Sequence, residues 1–355
     1  MDHSKVALAK SQMNQEKTKP TIGITMGDPA GIGAQIVAKA LQNTALTEKA
    51  RFIIYGSNET LTFEADKCKL QTRWDRVGAT TDRAKQKIHS DVIVLDDTED
   101  GLAKLNHTPS QLGGVVSKRW VEQAIHDAML PMSDTRHIDA VVTAPICKES
   151  WAMARYKWPG HTELFASRTK AKRHAMMFVS DKLRVVLATC HVPLMDIRNV
   201  LTIGKVHDAI DIAHEGCSQL GIKAPKIAVT GLNPHAGENG LLGDEETRII
   251  EPAIKVAKNN GLNVHGPFPA DTLFSYAQSY DVIVAMYHDQ GLLPIKLLSP
   301  QQAVNWTVGI PIIRTSPDHG TAFDIAHTTS ADPKSILHAI TLACQLATTR
   351  STLPC

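Results

Sequence analysis

The run Val282-Ile-Val-Ala-Met286 constrains the fold more than any other stretch of the chain. It is short, continuously apolar and rich in β-branched residues, the pattern of a strand buried on both faces of a parallel sheet. It empties at once into Tyr287-His288-Asp289-Gln290-Gly291, dense in groups that bind protons, metals and hydrogen bonds. Two other segments share the design. Residues 182–189 run into Cys190-His191-Val192-Pro193, and residues 226–232 run into Asn233-Pro234-His235-Ala236-Gly237-Glu238. In open α/β sheets ligands sit beyond the carboxyl ends of the strands, so the chemistry is expected at these three histidines.

The rest of the chain alternates in the same way. A strand at 21–25 leads through Gly27-Asp28-Pro29-Ala30-Gly31-Ile32-Gly33 into a helix from about Ala34 to Leu41. That arrangement can offer helix amides to an anion, or serve only as a tight turn. Its spacing is neither the dinucleotide fingerprint nor a Walker loop. Further strands are expected at 51–56, 91–95 and 138–145. Helices are expected from about Lys118 to Met129 capped by Ser117, from Val206 to Leu220, from Glu245 to Asn259, and from Pro333 to Thr348. Asp271 reads as the cap of a short helix. Residues 60–88 carry no assignable pattern, and residues 1–19, polar and aperiodic, read as a mobile N-terminal extension. Strand–helix alternation predicts α/β layers around a mainly parallel sheet.

At 355 residues the chain exceeds one ordinary hydrophobic core, so two domains are expected. The net charge of +2, from 38 basic and 36 acidic residues, argues against a nucleic-acid partner. No apolar stretch approaches a membrane span and no signal-peptide region is evident, so a cytoplasmic protein is expected. The six cysteines form no close pair, which suits a reducing compartment. Cys190, beside His191, reads as a small buried residue rather than a reactive thiol.

Any single histidine is most simply a hydrogen-bonding side chain. His191, His235 and His288 differ in their shared placement, and three neutral imidazoles suit a divalent ion with positions left open for substrate oxygens. They could also lie on different sides of a subunit interface. Lys296, Asn305 and Arg314, with His161 and Thr162, would suit an anionic substrate such as a phosphate ester. The alternative reading of Lys296 and Arg314 is solvated surface charge.

Met26-Gly-Asp-Pro-Ala-Gly-Ile-Gly33, Thr143-Ala-Pro145, Gly160-His-Thr-Glu163, His191-Val-Pro-Leu194, Gly231-Leu-Asn-Pro-His-Ala-Gly-Glu238, Pro269-Ala-Asp-Thr272, Met286-Tyr-His-Asp-Gln-Gly291 and Arg314-Thr-Ser-Pro-Asp-His-Gly-Thr-Ala-Phe-Asp324 follow one another in order. With them the chain resembles the 4-hydroxythreonine-4-phosphate dehydrogenase family of vitamin B6 biosynthesis, from about residue 20 to the last helix. The resemblance implies two α/β/α domains of the isocitrate/isopropylmalate dehydrogenase-like fold. Residues 20–140 with about 309–355 would form the first, and about 141–308 the second, carrying metal and dimer contacts. It implies a homodimer with the active site in the interdomain cleft at the interface. His191, His235 and His288 would be metal ligands, for Zn, Mg or Co. His161, Thr162, Lys296, Asn305 and Arg314 would contact substrate, and Asp271 would lie near the site as a hydrogen-bonding or catalytic proton-handling group.

The implied activity is oxidation of the C3 hydroxyl of 4-phosphooxy-L-threonine by NAD or NADP, then decarboxylation to 3-amino-2-oxopropyl phosphate. A sister group acts on D-threonate or D-erythronate 4-phosphate. Gly291-Leu-Leu-Pro294 and Ser316-Pro-Asp-His319 look more like the vitamin B6 enzyme. Ala326-His-Thr-Thr-Ser330 departs from the family, where a glycine-containing turn is expected. A non-enzymatic metal or small-molecule binder, and a metal hydrolase using Asp289 or Glu238, are the readings from other classes.

Overall fold

A computed structural model describes residues 19–78, 90–96 and 101–352. The extension expected at residues 1–19 lies outside these except for Lys19, whose Nζ donates to Thr47 O at 2.7 Å and pairs with Asp91. Twelve strands form one sheet. In chain order they are β1 (Thr21–Thr25), β2 (Arg51–Gly56), β3 (Asp75–Gly78), β4 (Val92–Asp96), β5 (Ala140–Thr143), β6 (Ala175–Val179), β7 (Arg184–Leu187), β8 (Ile227–Thr230), β9 (Val264–Phe268), β10 (Val282–Ala285), β11 (Val304–Val308) and β12 (Ile313–Pro317). Their order across the sheet is β3-β4-β2-β1-β5-β12-β11-β6-β7-β10-β8-β9.

The six strands from β3 to β12 run parallel, as do the four from β7 to β9. Between these blocks, β11 is antiparallel to both β12 and β6, and β6 is antiparallel to β7. The expected α/β class is present. The sheet is more mixed than the sequence suggested: β11, Val-Asn-Trp-Thr-Val, alternates apolar and polar residues, while the apolar run of β6 does not reveal its direction.

Burial explains the apolar runs. Val185, Leu187, Ala228, Ile283 and Ala285 join one core cluster; their neighbours Val186, Ile227, Val229, Val282 and Val284 join another. Alternate side chains leave a pleated strand on opposite sides, so β7, β8 and β10 are covered on both faces. The helix Ile203–Gln219 covers β6, β7, β8 and β10, while Gln111–Ala128 and Lys334–Thr352 cover β1 and β5.

Two capping expectations need correction. The helix expected from Lys118 begins at Gln111, and its cap is Ser110, whose Oγ accepts from Gly113 N at 3.0 Å. Gly113 and Gly114 look like breakers, but Gly114 lies so close to Ser150 that a Cβ would strike its carbonyl. Ser117 sits inside the helix and accepts from Trp151 Nε1 at 3.0 Å. The short helix Ala270–Leu273 is preceded by Pro269 and has no side-chain cap, so Asp271 does not cap it. Part of the unassigned 60–88 stretch forms the helix Asn58–Lys67, capped by Ser57, and part forms β3; residues 79–89 lie outside the described residues.

Candidate active site

Strand register sets the floor of the site. Thr307 lies opposite both Arg314 and Met176, and Asn305 opposite both Ser316 and Phe178. These six side chains therefore share one face of the sheet. Trp306 and Met177 take the other face and are fully enclosed in the core. The central strands are thus apolar behind and polar in front.

A cleft of about 460 Å³ opens over the polar face. Lys148 enters it from the helix Lys148–Met153, and His161, Thr162 and Glu163 from the first turn of the helix His161–Thr169. His191 follows β7, His288 and Lys296 lie on the helix His288–Leu298, and Asp318 and His319 follow β12. Seven of the sequence-derived residues meet here: His161, Thr162, His191, His288, Lys296, Asn305 and Arg314.

Arg314 is only 3% exposed. Its Nε and Nη2 donate to Thr143 Oγ1 at 3.1 and 2.6 Å, and Nη1 donates to Thr307 Oγ1 at 3.2 Å. Among the described residues no carboxylate forms an ion pair with it. Burial pulls its pKa down to about 10, opposed by Glu163. Burying a lone cation costs several kcal/mol, a cost that an anion in the cleft relieves.

Two polar atoms of the lining are buried with no protein partner, His161 Nε2 and Asn305 Oδ1. Buried polar atoms are nearly always satisfied, so these two point to a polar ligand. Burial, with Arg314 adding to it, holds the His161 imidazole well below its usual pKa, and the ring is neutral. Lys296 pairs with Asp318 at 3.1 Å.

The His191 and His288 rings lie 5.8 Å apart. Burial first, then Lys148, lowers the His191 pKa, which favours the neutral ring that a metal requires. His288 Nδ1 lies 2.7 Å from Asp289 Oδ1. A proton shared there fixes the tautomer and leaves Nε2 as the donor atom. These two imidazoles fit a divalent ion. Among the described residues, no group of three histidine, cysteine or acidic side chains converges to hold one.

The two sequence-derived residues missing from the cleft are neighbours elsewhere. His235 is exposed on the turn Pro234–Gly240, and Asp271 is exposed on the short helix packed beside that turn. Residues 235–239 all hold φ between 43 and 82°. A left-handed turn costs roughly 1–2 kcal/mol for each residue carrying a Cβ, so it persists only where its surroundings enforce it.

A second cleft, of about 500 Å³, adjoins the first and shares Lys296, Asp318 and His319. Ile32, Ala303, Ala322 and Ile325 make it more apolar, and Ser330, Ala331 and Asp332 form its rim. The divergent segment 326–330 belongs to this wall and is tightly held. Lys39 Nζ donates to Thr329 O and Ala331 O, Lys67 Nζ to Ala326 O, and Gln35 Nε2 to Thr328 O, at 2.7 to 2.9 Å. These bonds tie the segment to the helices Gly33–Ala40 and Asn58–Lys67.

Sequence reasoning gave no role to Thr143, Lys148, Glu163 or Asp318. Thr143 and Glu163 stood inside quoted motifs, but only the fold shows that they face Arg314 and the cleft.

Fold and cleft together define an α/β protein with a buried guanidinium and a pair of histidines on one cavity. Residues 48–343 match the family model of the pyridoxal phosphate biosynthetic protein PdxA. The chain is 41% identical to the D-threonate 4-phosphate dehydrogenase of Salmonella typhimurium, over 92% of this chain and 99% of that one. It is equally 41% identical to the 4-hydroxythreonine-4-phosphate dehydrogenase of Desulfosudis oleivorans, over 92% and 95%. A crystal structure of 4-hydroxythreonine-4-phosphate dehydrogenase from Klebsiella pneumoniae matches with a TM-score of 0.82 and 36% identity, covering 94% of this chain and 99% of that one. The chain belongs to the PdxA family of dehydrogenases.

Proposed function

We propose that this enzyme oxidises the C3 hydroxyl of 4-phosphooxy-L-threonine with NAD or NADP, and that the β-keto acid formed decarboxylates to 3-amino-2-oxopropyl phosphate. The observation that carries the reading is Arg314, a buried guanidinium without a carboxylate partner, facing a cleft of the size a four-carbon phosphate ester needs. Its fork, steered by Thr143 and Thr307, binds the phosphate. His161 and Thr162 complete that grip, and Lys296 and Asn305 hold the rest of the substrate. A divalent ion, Zn, Mg or Co, when bound by the histidines, polarises the hydroxyl and stabilises the charge left by decarboxylation.

The adjoining apolar cleft suits the dinucleotide, because its shared wall brings the two molecules side by side. The active site is completed across a homodimer. His235 and Asp271, both absent from their own chain's cleft and both on one exposed surface, serve the cleft of the second copy. The two domains, 20–140 with about 309–355 and about 141–308, meet along the sheet at β12 and β11, except that β5 (Ala140–Thr143), which straddles the first boundary, pairs with the strands of the first.

A second reading, D-threonate 4-phosphate as substrate, is favoured by the equal identity to the Salmonella typhimurium enzyme. The substrates differ at C2, where one carries an ammonium and the other a hydroxyl. Glu163 in the cleft gives the ammonium a carboxylate to meet. Absorbance of reduced cofactor is measured with each substrate, with and without divalent ion. The expected result is faster, ion-dependent reduction with 4-phosphooxy-L-threonine and a primary amine in the product. Turnover of D-threonate 4-phosphate alone assigns the second reading, and turnover of neither overturns both.

A further inference from the structure

The turn that displays His235 is strained along its whole length, and one buried carboxylate holds it. Glu246 is 3% exposed. Its Oε1 accepts from Leu232 N at 2.7 Å and Asn233 N at 2.8 Å, and its Oε2 accepts from Asn233 Nδ2 at 3.0 Å. The same Nδ2 donates to Glu245 Oε2 at 2.7 Å. Glu245 and Glu246 lie where the helix opens into a π-turn, Glu246–Ile250, a local widening often found at functional sites. Two glycines make room for the carboxylate. A Cβ on Gly237 would sit 2.7 Å from Glu246 Oε2, and one on Gly231 would sit 3.0 Å from Oε1.

No ion pair to Glu246 occurs among the described residues, and it lies outside the cleft of its own chain. Its partners are the amides that enter the left-handed run and the side chain of the residue two before His235. A buried carboxylate spent wholly on such a turn makes sense if the direction of the exposed side chain matters.

We infer that Glu246, with Asn233, is a positioning residue. It locks the strained turn so that the His235 imidazole is presented in one direction to the metal site of a second copy. This rests on the reading of His235 as a ligand. Glu246 touches neither ion nor substrate and acts only through the turn.

The test uses the full-length protein freed of metal, with Co²⁺ as probe, and measures binding by equilibrium dialysis. Glu246→Gln keeps one oxygen for the two backbone amides but sets an NH2 against the Asn233 Nδ2 donor, or the reverse, at nearly constant volume. Asn233→Ala removes the outer half of the clamp and is the milder variant. Losing a residue that orients a ligand weakens metal binding by about 10–100-fold. Glu246→Gln is expected to bind Co²⁺ at least about tenfold more weakly, and Asn233→Ala several-fold more weakly, with the dimer mass unchanged and amide exchange over 232–240 accelerated. Either folded variant binding Co²⁺ as tightly as the parent overturns the inference, as does weakening that tracks dimer dissociation. If Glu246→Gln does not fold, Asn233→Ala decides. His235→Ala separates the two claims. Unchanged Co²⁺ affinity there overturns the ligand reading, whereas weakening there but not in the clamp variants overturns only the positioning role.

Discussion

Arg314 and His235 reach their work by opposite routes. Arg314 extends from a central strand, is buried at the floor of the cleft, and is steered by two threonine hydroxyls. His235 stands exposed on a turn of five left-handed residues tied down by acidic side chains. The first group is expensive because of where it is buried, the second because of the backbone that carries it. On the proposed reading each cost has an occupant: an anion over Arg314, and an ion or a second copy of the chain near His235. A site assembled from both keeps its substrate grip within one chain and leaves its metal site dependent on association.

The strongest way to break this contrast is at the buried end. Arg314→Met removes charge-assisted bonds worth about 1.5–3 kcal/mol each, so kcat/KM should fall by roughly 100-fold or more. The ligand-free protein should at the same time become more stable, by about 1–4 kcal/mol, because an unpaired buried cation gives way to an apolar side chain. Steady-state kinetics and thermal unfolding check the two signs. A variant that lost stability would show that Arg314 is satisfied without a ligand. Arg314→Lys should retain the charge, lose the fork and raise KM.

The exposed end is tested by complementation. His235→Ala and His288→Ala should each abolish turnover and lower bound metal. Unfolded together and refolded, they should regain about a quarter of the parental activity, since half the dimers carry one intact site. No recovery would place all three histidines in one chain's cleft.

A smaller effect belongs to His161. Its ring stays neutral in the folded protein, so the unfolded chain alone takes up a proton as pH falls through about 6.5. Stability should therefore be full above that pH and decline below it, and His161→Gln should flatten the decline measured by denaturant titration. The smallest effect is at the second cleft. Lys39→Met frees the carbonyl of Thr329 in the divergent segment and that of Ala331 just beyond it. It should raise KM for the dinucleotide several-fold while leaving KM for the phosphorylated substrate unchanged.

The residues legible in the sequence were those whose chemistry is stated locally. β7, β8 and β10 announced themselves by apolar runs because both faces are covered, whereas β9, broken by Gly266-Pro267, reads in the sequence as part of a loop over 266–272 and is a strand at Val264–Phe268. The histidines at the ends of β7 and β10 were placed by strand position alone, and they do converge. Register was not legible. Nothing in Val304-Asn305-Trp306 shows that Asn305 will face Ser316 across an antiparallel pair, and so the polar floor of the cleft could not be drawn. Ser110 was overlooked as a cap because two glycines in the first turn look like breakers until the tight contact of Gly114 with Ser150 is seen. The turn at His235 was hidden for another reason. Ala236 and Glu238 disfavour the left-handed region, so the run is not announced by its residues, and its proposed clamp, Glu246, lies several residues downstream.

The reversed strand β11 has one more consequence. Thr307 on β11 and Arg314 on β12 face each other across a junction that links the two parallel blocks and floors the cleft. Whatever anion settles on them is a rivet through the spine of the molecule. Occupancy should therefore slow the breathing of the whole midline, so that β11 amides far from any ligand atom exchange with solvent more slowly in proportion to how tightly the phosphate is held.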